Sequence, residues 1–355
     1  MFEAMDEQGN RINSQLETFQ SLTDKLLYCP YCQTQLRVRQ GKRRLHFVHV
    51  TACTGESSEH QFWKMRLAAY FETLRFKVEI EAVRGRRRFD LFISPGEIGV
   101  EIQRSKMNAE EWQRRSLIDQ QAGYEVRWIG FHESGGQLLK LDGWMKAAFM
   151  KNGYIDLIER GRIVRYVHPL PFAQRLVFCQ RVPLSAKQFL FPSPVPRQFF
   201  ERPWTTLIKK YRLRPFFSSL PSRYVQSPLY SSNLQVSTLP SWCFLPLSPL
   251  LCLSVHPFEI QVAVYLRLQG TYLAEQLLAF LTECLTRSKV SYELSNLHLL
   301  IDEWMAMIDF LQNHLPELFQ TNTVDLSTRL EEDQKLAGAL RLFVERETGI
   351  NEVKE

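Results

Sequence analysis

The spacing of apolar and polar positions predicts an ordered series of elements in the middle of the chain. From Glu56 onward, apolar and polar side chains recur at three- and four-residue steps, as on one face of a helix, at His60, Lys64, Leu67, Phe71 and Leu74. Three short alternating runs follow, FKVEIEAV, RRFDLFIS and IGVEIQR, joined by the turn sequences RGR and PGE. The pattern predicts one helix followed by an antiparallel meander.

A second helix and a further strand extend this region. Asn108 and Glu111 have the spacing of a capping box for the helix AEEWQRRSLIDQQA, which we expect to end at Gly123. The strand YEVRWIGF comes next, so that strand, helix and strand form a βαβ unit with parallel strands. Residues 56–135 are thus predicted to form an α/β domain of order α-β-β-β-α-β around a mixed sheet.

The flanking sequences differ from this domain in texture. LLYCPYCQTQLRVRQGKRRLHFVHV predicts a small hairpin, and from about Phe258 to the end the pattern is helical. Between them Pro and Ser are frequent, so we expect few long regular elements there. The predicted division is an N-terminal module at 1–55, the α/β domain at 56–170, a connecting region at 171–257 and a helical domain at 258–355.

Composition agrees with a globular chain of two or three domains. The 355 residues are 45% hydrophobic and 12% aromatic, which is enough for sizeable cores. The first residues are polar, and no apolar run reaches the roughly 18 residues that a membrane span needs. We therefore expect a cytoplasmic protein without a membrane span.

Basic residues are concentrated in the first third of the chain, although the formal net charge is only +6. Such groups are typical of a phosphate-binding surface, and solvated loop faces are the alternative. The two groups contain the residues that we expect to bind DNA, namely Arg37, Arg39, Lys42, Arg43 and Arg44 in one and Arg86, Arg87 and Arg88 in the other.

The N-terminal hairpin contains a possible set of zinc ligands. Cys29 and Cys32 form a C-x2-C knuckle, and His46, His49 and Cys53 follow. On a straight strand His46 and His49 face opposite sides, so either the chain turns at Phe47-Val48 or Cys53 replaces one of them. We favour Cys29, Cys32, His46 and His49 holding a structural zinc ion; buried cysteines beside surface histidines are the alternative.

Two carboxylates stand inside the apolar runs of the meander. Asp90 and Glu101 lie on adjacent strands, and a turn centred on Pro95-Gly96 makes them cross-strand neighbours that can share Mg2+ or Mn2+. Without a cation the two would repel each other. A metal ion there could activate water for phosphodiester cleavage, while the basic groups bring in the DNA strand.

The helix before the meander adds polar groups that we expect to face this position. Glu56, His60 and Lys64 are spaced four residues apart on the face that carries Leu67 and Phe71. Their end of the helix is predicted to reach the active centre. The alternative is a partly exposed amphipathic helix with charge pairs along it.

The order of several motifs resembles the PD-(D/E)xK nucleases, and more narrowly the competence protein CoiA family of transformable Gram-positive bacteria. The motifs are CPYC, HFVH, ESSEHQFWK, RRRFDLFI, VEIQRS and YEVRWI. The resemblance implies a restriction-endonuclease-like core, a zinc-binding N-terminal module and a mainly helical C-terminal region. It also implies that Asp90 and Glu101 are metal carboxylates and that Gln103 stands at the position of the superfamily's lysine.

Because Gln103 stands where the superfamily has a lysine, two functions stay open. Gln103 can orient water or a phosphate oxygen but carries no charge, which Lys64 or Lys106 would then have to supply. The first hypothesis is a Mg2+-dependent deoxyribonuclease that acts on incoming single-stranded DNA in transformation and recombination. The second is a non-hydrolytic DNA-binding accessory protein that recruits a recombinase or another competence protein.

Three aromatic residues in the Pro-rich region have two interpretations. Trp204, Tyr224 and Trp242 could stack on the bases of a single strand, or they could pack in a core.

Overall fold

A computed structural model of the chain describes most residues of the sequence. The described ranges are 3–14, 17–29, 33–40, 45–50, 58–85, 87–132, 135–173, 176–268, 273–319 and 324–347. By its internal contacts the chain divides into a first unit, residues 1–104 and 124–127, and a second unit, residues 105–123 and 128–355. The four-part domain division made from the sequence stays a prediction, because contact units need not coincide with domains.

The first unit begins with a small antiparallel sheet and continues with a helix and a meander. Its elements are β1 (Glu3–Met5), β2 (Arg11–Asn13), α1 (Phe19–Thr23), β3 (Leu27–Tyr28), β4 (Gln35–Gln40), β5 (Leu45–His49), α2 (Ser58–Thr73), β6 (Lys77–Arg84), β7 (Arg87–Ser94) and β8 (Ile98–Ile102). The small sheet has the order β2-β1-β3-β4-β5. Its core is formed by Ala4, Ile12, Leu22, Leu27, Cys29, Leu36 and Phe47.

Helix α2 packs on β6, β7 and β8 through the face that the spacing predicts. Lys64, Leu67 and Phe71 are buried there. Leu74 lies beyond the end of the helix and is 37% exposed, so its assignment to the buried face is wrong. The three predicted strands of the meander are confirmed, and both pairs, β6 with β7 and β7 with β8, are antiparallel.

The second unit contains a mixed sheet and most of the helices. Its elements are α3 (Ala109–Gln121), the later part of β9 (Glu125–Phe131), β10 (Leu138–Lys140), α4 (Gly143–Asn152), β11 (Tyr154–Glu159), β12 (Arg162–Ala173), β13 (Leu176–Leu184), α5 (Ala186–Leu190), α6 (Glu201–Leu213), α7 (Gln226–Ser231), α8 (Pro257–Leu268), α9 (Ala274–Arg287), α10 (Leu294–His314) and α11 (Leu326–Glu347). Short 3-10 helices occur at Ser222–Tyr224, Val236–Thr238, Ser241–Cys243, Ser248–Cys252 and Pro316–Phe319.

The sheet of this unit has the order β10-β13-β12-β11-β9. Strand β9 runs parallel to β11, while the pairs of β12 with β11 and with β13 are antiparallel. The predicted mixed sheet and helical C-terminal region are confirmed. Asn108 caps α3, since its side chain accepts a hydrogen bond from the Glu111 N–H at 2.8 Å. The predicted capping box is only half formed, because the Glu111 carboxylate bonds Arg114 and Arg115.

The expectation of few regular elements between residues 171 and 257 is wrong at β13 and α6. In β13 the buried residues alternate, as at Val177 and Cys179. In α6 the apolar residues Trp204, Leu207 and Tyr211 follow helical spacing, and Pro203 falls in the first turn, where proline is tolerated. The periodic spacing of apolar residues indicates both elements, whereas the proline content of the region had suggested that regular elements were few.

None of the helices within the described ranges is both long enough and apolar enough to span a bilayer.

Two glycines provide opposite tests of packing. A Cβ on Gly99 in β8 would lie 2.7 Å from Cδ1 of the buried Phe89 ring, whereas a Cβ on Gly338 in α11 would meet nothing within 4 Å. We expect Gly99→Ala to lower the free energy of unfolding by about 1–3 kcal/mol. Gly338→Ala should raise it by about 0.4–1 kcal/mol, since alanine restricts the unfolded chain. Urea unfolding followed by circular dichroism measures both, and a neutral Gly99→Ala would contradict the packing described.

Candidate active site

The two carboxylates singled out in the sequence lie on neighbouring strands. Strands β7 and β8 pair Leu91 with Val100 and Ile93 with Ile98, and the same register continued by one residue places Asp90 opposite Glu101. The backbone N–H of Ile102 donates a hydrogen bond to Oδ2 of Asp90 at 2.8 Å. Both carboxylate side chains are 12% exposed. The hairpin therefore holds two largely buried carboxylates side by side.

Helix α2 brings two basic side chains to Asp90. Nε2 of His60 lies 3.1 Å from Oδ2 of Asp90, and Nζ of Lys64 lies 3.3 Å from Oδ1. The two residues are one helical turn apart and so share a face of α2. Lys64 is only 3% exposed. Both oxygens of Asp90 thus have a basic partner from the helix.

A third carboxylate, Glu81 in β6, joins this group and was missed in the sequence. Strands β6 and β7 pair Ile80 with Leu91 and Ala82 with Phe89, so Glu81 falls opposite Asp90. Oε1 of Glu81 contacts the Lys64 ammonium, and its other carboxylate oxygen, Oε2, accepts from the Arg88 guanidinium. A hairpin that pairs Arg84 with Arg87 implies this register, and the glycine between the two β-like runs was the available signal.

The backbone of Glu81 is unusual for a residue inside a strand. Its φ is +56°, in the left-handed region that non-glycine residues rarely adopt. Such a conformation costs on the order of 1 kcal/mol or more, and it persists where surrounding contacts enforce it. The ion pairs with Lys64 and Arg88 are contacts of that kind. We call Glu81, Asp90 and Glu101, on three successive strands, the carboxylate row.

Each member of the carboxylate row contacts a basic side chain. Nη2 of Arg87 lies 3.3 Å from Oε1 of Glu101, and the same guanidinium lies 5.2 Å from the centre of the Phe89 ring. Burial by itself raises the pKa of Asp90. The hydrogen bond and charge of His60, the Ile102 N–H and the Lys64 charge outweigh burial and lower the pKa below its ordinary value of 3.8. Asp90 is therefore ionised at neutral pH.

The donors of the carboxylate row suit a hard cation. Mg2+ typically binds one or two carboxylates and keeps several waters, and Asp90 with Glu101 can supply those two. Within the described residues no three His, Cys, Asp or Glu side chains are arranged to hold a metal ion. Because Lys64 contacts Asp90 and Arg87 contacts Glu101, a cation between the two carboxylates would share them with these two basic side chains.

Besides His60, Lys64, Asp90 and Glu101, the predicted site residues are Gln103 and Glu56. Gln103 follows directly after β8, two residues from Glu101, and is half-buried. Of the two lysines considered for the missing charge, Lys64 contacts Asp90, and Lys106 is an exposed residue of the second unit. Glu56 is outside the described residues.

The residues expected to bind DNA fall into three groups. Arg37 and Arg39 are exposed on β4, and Arg88 is exposed while bonded to Glu81. Arg87 is largely buried against Glu101. The others, Lys42, Arg43, Arg44 and Arg86, lie outside the described residues.

The two histidines among the predicted zinc ligands, His46 and His49, lie on strand β5. β5 pairs with β4 at every residue from Leu45 to His49, so the turn expected at Phe47-Val48 is absent and that expectation is wrong. His46 lies opposite the exposed Arg39, whereas His49 lies opposite the buried Leu36. Because they are three residues apart on a continuous strand, their imidazoles leave it on opposite faces.

Only one of these histidines shares a face with Cys29. His49 lies on the same face of β5 as Phe47, which belongs to the small core that contains Cys29. Of the two alternatives drawn from the sequence, this geometry favours the one in which Cys53 replaces one of the histidines. Cys32 and Cys53 lie outside the described residues.

Comparison with known proteins places the carboxylate row inside a recognised domain. Residues 56–192 match the family model described as competence protein CoiA, nuclease-like domain. The matched segment runs from α2 through α5 and contains every residue of the carboxylate row. Neither a curated protein nor a solved structure matches the chain.

A double-mutant cycle measures how strongly the buried ammonium and Glu81 depend on each other. Lys64→Met leaves the largely buried Asp90 and the half-buried Glu81 without the ammonium between them, so we expect the free energy of unfolding to fall by about 3–5 kcal/mol. Lys64→Met should lower the free energy of unfolding less in the Glu81→Gln variant than in wild type. The difference between the two losses, measured by urea unfolding at pH 7, is the coupling energy, and we expect about 1–3 kcal/mol.

The exposed pair Lys77 and Glu79 on the same strand, 3.9 Å apart, is the matched control. Its cycle, with Lys77→Met and Glu79→Gln, should give a coupling energy below about 1 kcal/mol. Equal coupling energies in the two cycles would contradict a buried ion pair at Lys64.

Proposed function

Residues 56–192 of this chain belong to the competence protein CoiA family as its nuclease-like domain, and from that premise we propose a Mg2+- or Mn2+-dependent deoxyribonuclease. The proposed substrate is DNA taken up during competence, as a single strand. The matched domain supports a competence-related, nuclease-like protein. The observation that carries the proposal is the pair Asp90 and Glu101, side by side on adjacent strands with the Lys64 ammonium against Asp90.

The order of elements around this pair supports a restriction-endonuclease-like core. Helix α2 covers the meander β6-β7-β8, and Asp90 and Glu101 come from its second and third strands. This is the arrangement that the motif resemblance implies. We therefore propose that residues 56–192 fold as such a core.

Each polar residue of the site has a role that follows from its contacts. Asp90 and Glu101 would hold the divalent ion, which when bound supplies an activated water and charge stabilisation at phosphorus. His60 orients Asp90 through its bond to Oδ2. Lys64 supplies a positive charge within 3.3 Å of Asp90, which Gln103 is unable to provide. Gln103 can instead orient a water or a phosphate oxygen by hydrogen bonding.

The exposed arginines would bind the DNA backbone. Arg37 and Arg39 project from one face of β4, as a phosphate-binding surface requires. Arg88 is also exposed, but its bond to Glu81 couples it to the carboxylate row. Phosphate binding by Arg88 would therefore act on the same group of charges that holds Asp90.

One observation favours the accessory function as a second candidate. Lys64 contacts Asp90 and Glu81, Arg88 contacts Glu81 and Arg87 contacts Glu101, so three protein cations already face the three carboxylates. A row of carboxylates that is satisfied by protein cations can persist as a structural feature without a metal ion. In that case the protein would bind DNA without cutting it and would recruit a recombinase or another competence protein.

Cleavage assays with isosteric variants separate these two functions. We expect Asp90→Asn and Glu101→Gln each to lower cleavage of labelled DNA in Mg2+ or Mn2+ by roughly 100-fold or more, because each removes a metal carboxylate. DNA affinity should change little, and thermal stability is measured alongside it because Asp90→Asn also removes a charged partner of the buried Lys64 ammonium. The control is Glu97→Gln, which removes an exposed carboxylate in the β7–β8 turn.

Cleavage of single-stranded and of double-stranded DNA is measured in Mg2+, in Mn2+ and in chelator. Wild-type protein that binds DNA but leaves it intact in both metals would support the accessory function. Cleavage that survives both Asp90→Asn and Glu101→Gln would end the enzyme proposal.

We also propose that a structural zinc ion is held by Cys29 and His49 together with Cys32 and Cys53. The support is the shared face of Cys29 and His49 and the C-x2-C and H-x3-C spacings. Such an ion would stabilise a sheet whose own core is small.

Zinc content distinguishes the two histidines. Purified protein should contain about one zinc ion per chain, and His49→Ala or Cys29→Ser should release it. His46→Ala removes an imidazole three residues away on the opposite face and is expected to leave zinc in place. Elemental analysis after dialysis measures the ratio, and zinc loss in His46→Ala alone would reverse the assignment.

A further inference from the structure

The second unit contains a groove that lies entirely outside the segment matched by the family. It runs between α8, α9 and the 3-10 helix before α7, and it has a volume of about 320 Å3. The residues that matter are Arg223, Tyr224, Arg267, Phe280 and Arg287, which together we call the basic groove. A groove of this volume is of the size that takes a small ligand.

Charge in the basic groove is strongly one-sided. Three arginines line it against a single carboxylate, Glu283, which lies 2.9 Å from Nη1 of Arg287. The exposed Arg267 has no hydrogen-bond or ion-pair partner among the described residues. Arg223 makes only a long hydrogen bond of 3.5 Å, to the backbone oxygen of Arg287. The excess of two positive charges fits an anion with more than one oxygen.

Aromatic rings line the same groove. The Tyr224 and Phe280 rings stand nearly perpendicular, at 74° and 6.2 Å between centres, and the Arg223 guanidinium lies 5.0 Å above Tyr224. The Tyr224 hydroxyl is buried without a hydrogen-bond partner in the described structure. By contrast, Trp204 and Trp242 are buried in the main core. Of the three aromatics open to base stacking, Tyr224 is the one beside arginines.

We propose that the basic groove binds a nucleoside phosphate, either as a free nucleotide or as one unit of single-stranded DNA. Arg267 and Arg287 would bind the phosphate oxygens, and Tyr224 would contact the base. The combination of guanidinium groups with an aromatic surface favours a nucleotide over an acidic peptide. The inference rests on the proposed function only where it names DNA as the source of the phosphate.

The test is binding by the full-length protein in chelator, so that cleavage plays no part. The probes are a fluorescein-labelled oligothymidylate, dTMP and, as a phosphate-free comparison, thymidine. We expect dTMP to bind at least tenfold more tightly than thymidine. The double variant Arg267→Gln, Arg287→Gln should weaken binding of dTMP, of the oligonucleotide, or of both, by roughly tenfold or more.

The matched control is Arg202→Gln, Arg214→Gln, which removes the same charge from exposed positions outside the groove. It should stay within twofold of wild type, and circular dichroism checks that both variants fold. A loss confined to dTMP assigns the groove to free nucleotides, and a loss that includes the oligonucleotide assigns it to a strand.

Two results would overturn the proposal: wild-type protein that binds none of the probes, or a groove variant that binds them as tightly as the control variant does. Asp90→Asn should keep groove binding intact. Wild-type protein that cleaves DNA, together with a groove variant that binds the probes like the control variant, would overturn the groove proposal alone. Wild-type protein that binds dTMP through the groove but leaves DNA intact in both metals would overturn the nuclease proposal alone.

Discussion

The Lys64 ammonium between Glu81 and Asp90 is the interaction on which the architecture of the candidate site depends. A lysine that is 3% exposed is strongly unfavourable unless its charge is compensated, and two carboxylates on adjacent strands repel each other without a cation. The ion group of Lys64, Glu81 and Asp90 compensates the buried charge and offsets the repulsion between the carboxylates. It also connects α2 to β6 and β7. Glu81, one of its members, has a left-handed backbone inside a strand.

The same charges explain why a metal-dependent and a metal-free function both follow from one site. Asp90 and Glu101 provide the oxygen ligands that Mg2+ prefers, yet in the described structure each already contacts a basic side chain. A divalent ion would compete with Lys64 and Arg87 for these oxygens. Substrate phosphates that attract the arginines would reduce that competition, so metal and DNA are expected to bind cooperatively.

Chemistry suited to nucleic acid occurs in both units of the chain. In the first unit it consists of the carboxylate row and the exposed arginines of β4. In the second unit it is a groove of arginines and aromatic rings set in a helical core. A helical region that binds nucleotides would have a direct part in DNA processing, whether or not the carboxylate row cuts the strand.

By itself the sequence determined the elements and the nearest pairings of the site. Alternation and turn residues predict β7 and β8 and the placement of Asp90 beside Glu101, and four-residue spacing puts His60 and Lys64 on one face. These features depend on neighbours along the chain. Tertiary structure alone decided that Lys64 contacts both Asp90 and Glu81 and that His49 rather than His46 lies on the core side of β5. Those outcomes depend on how helices and strands dock at long range, which local periodicity does not encode.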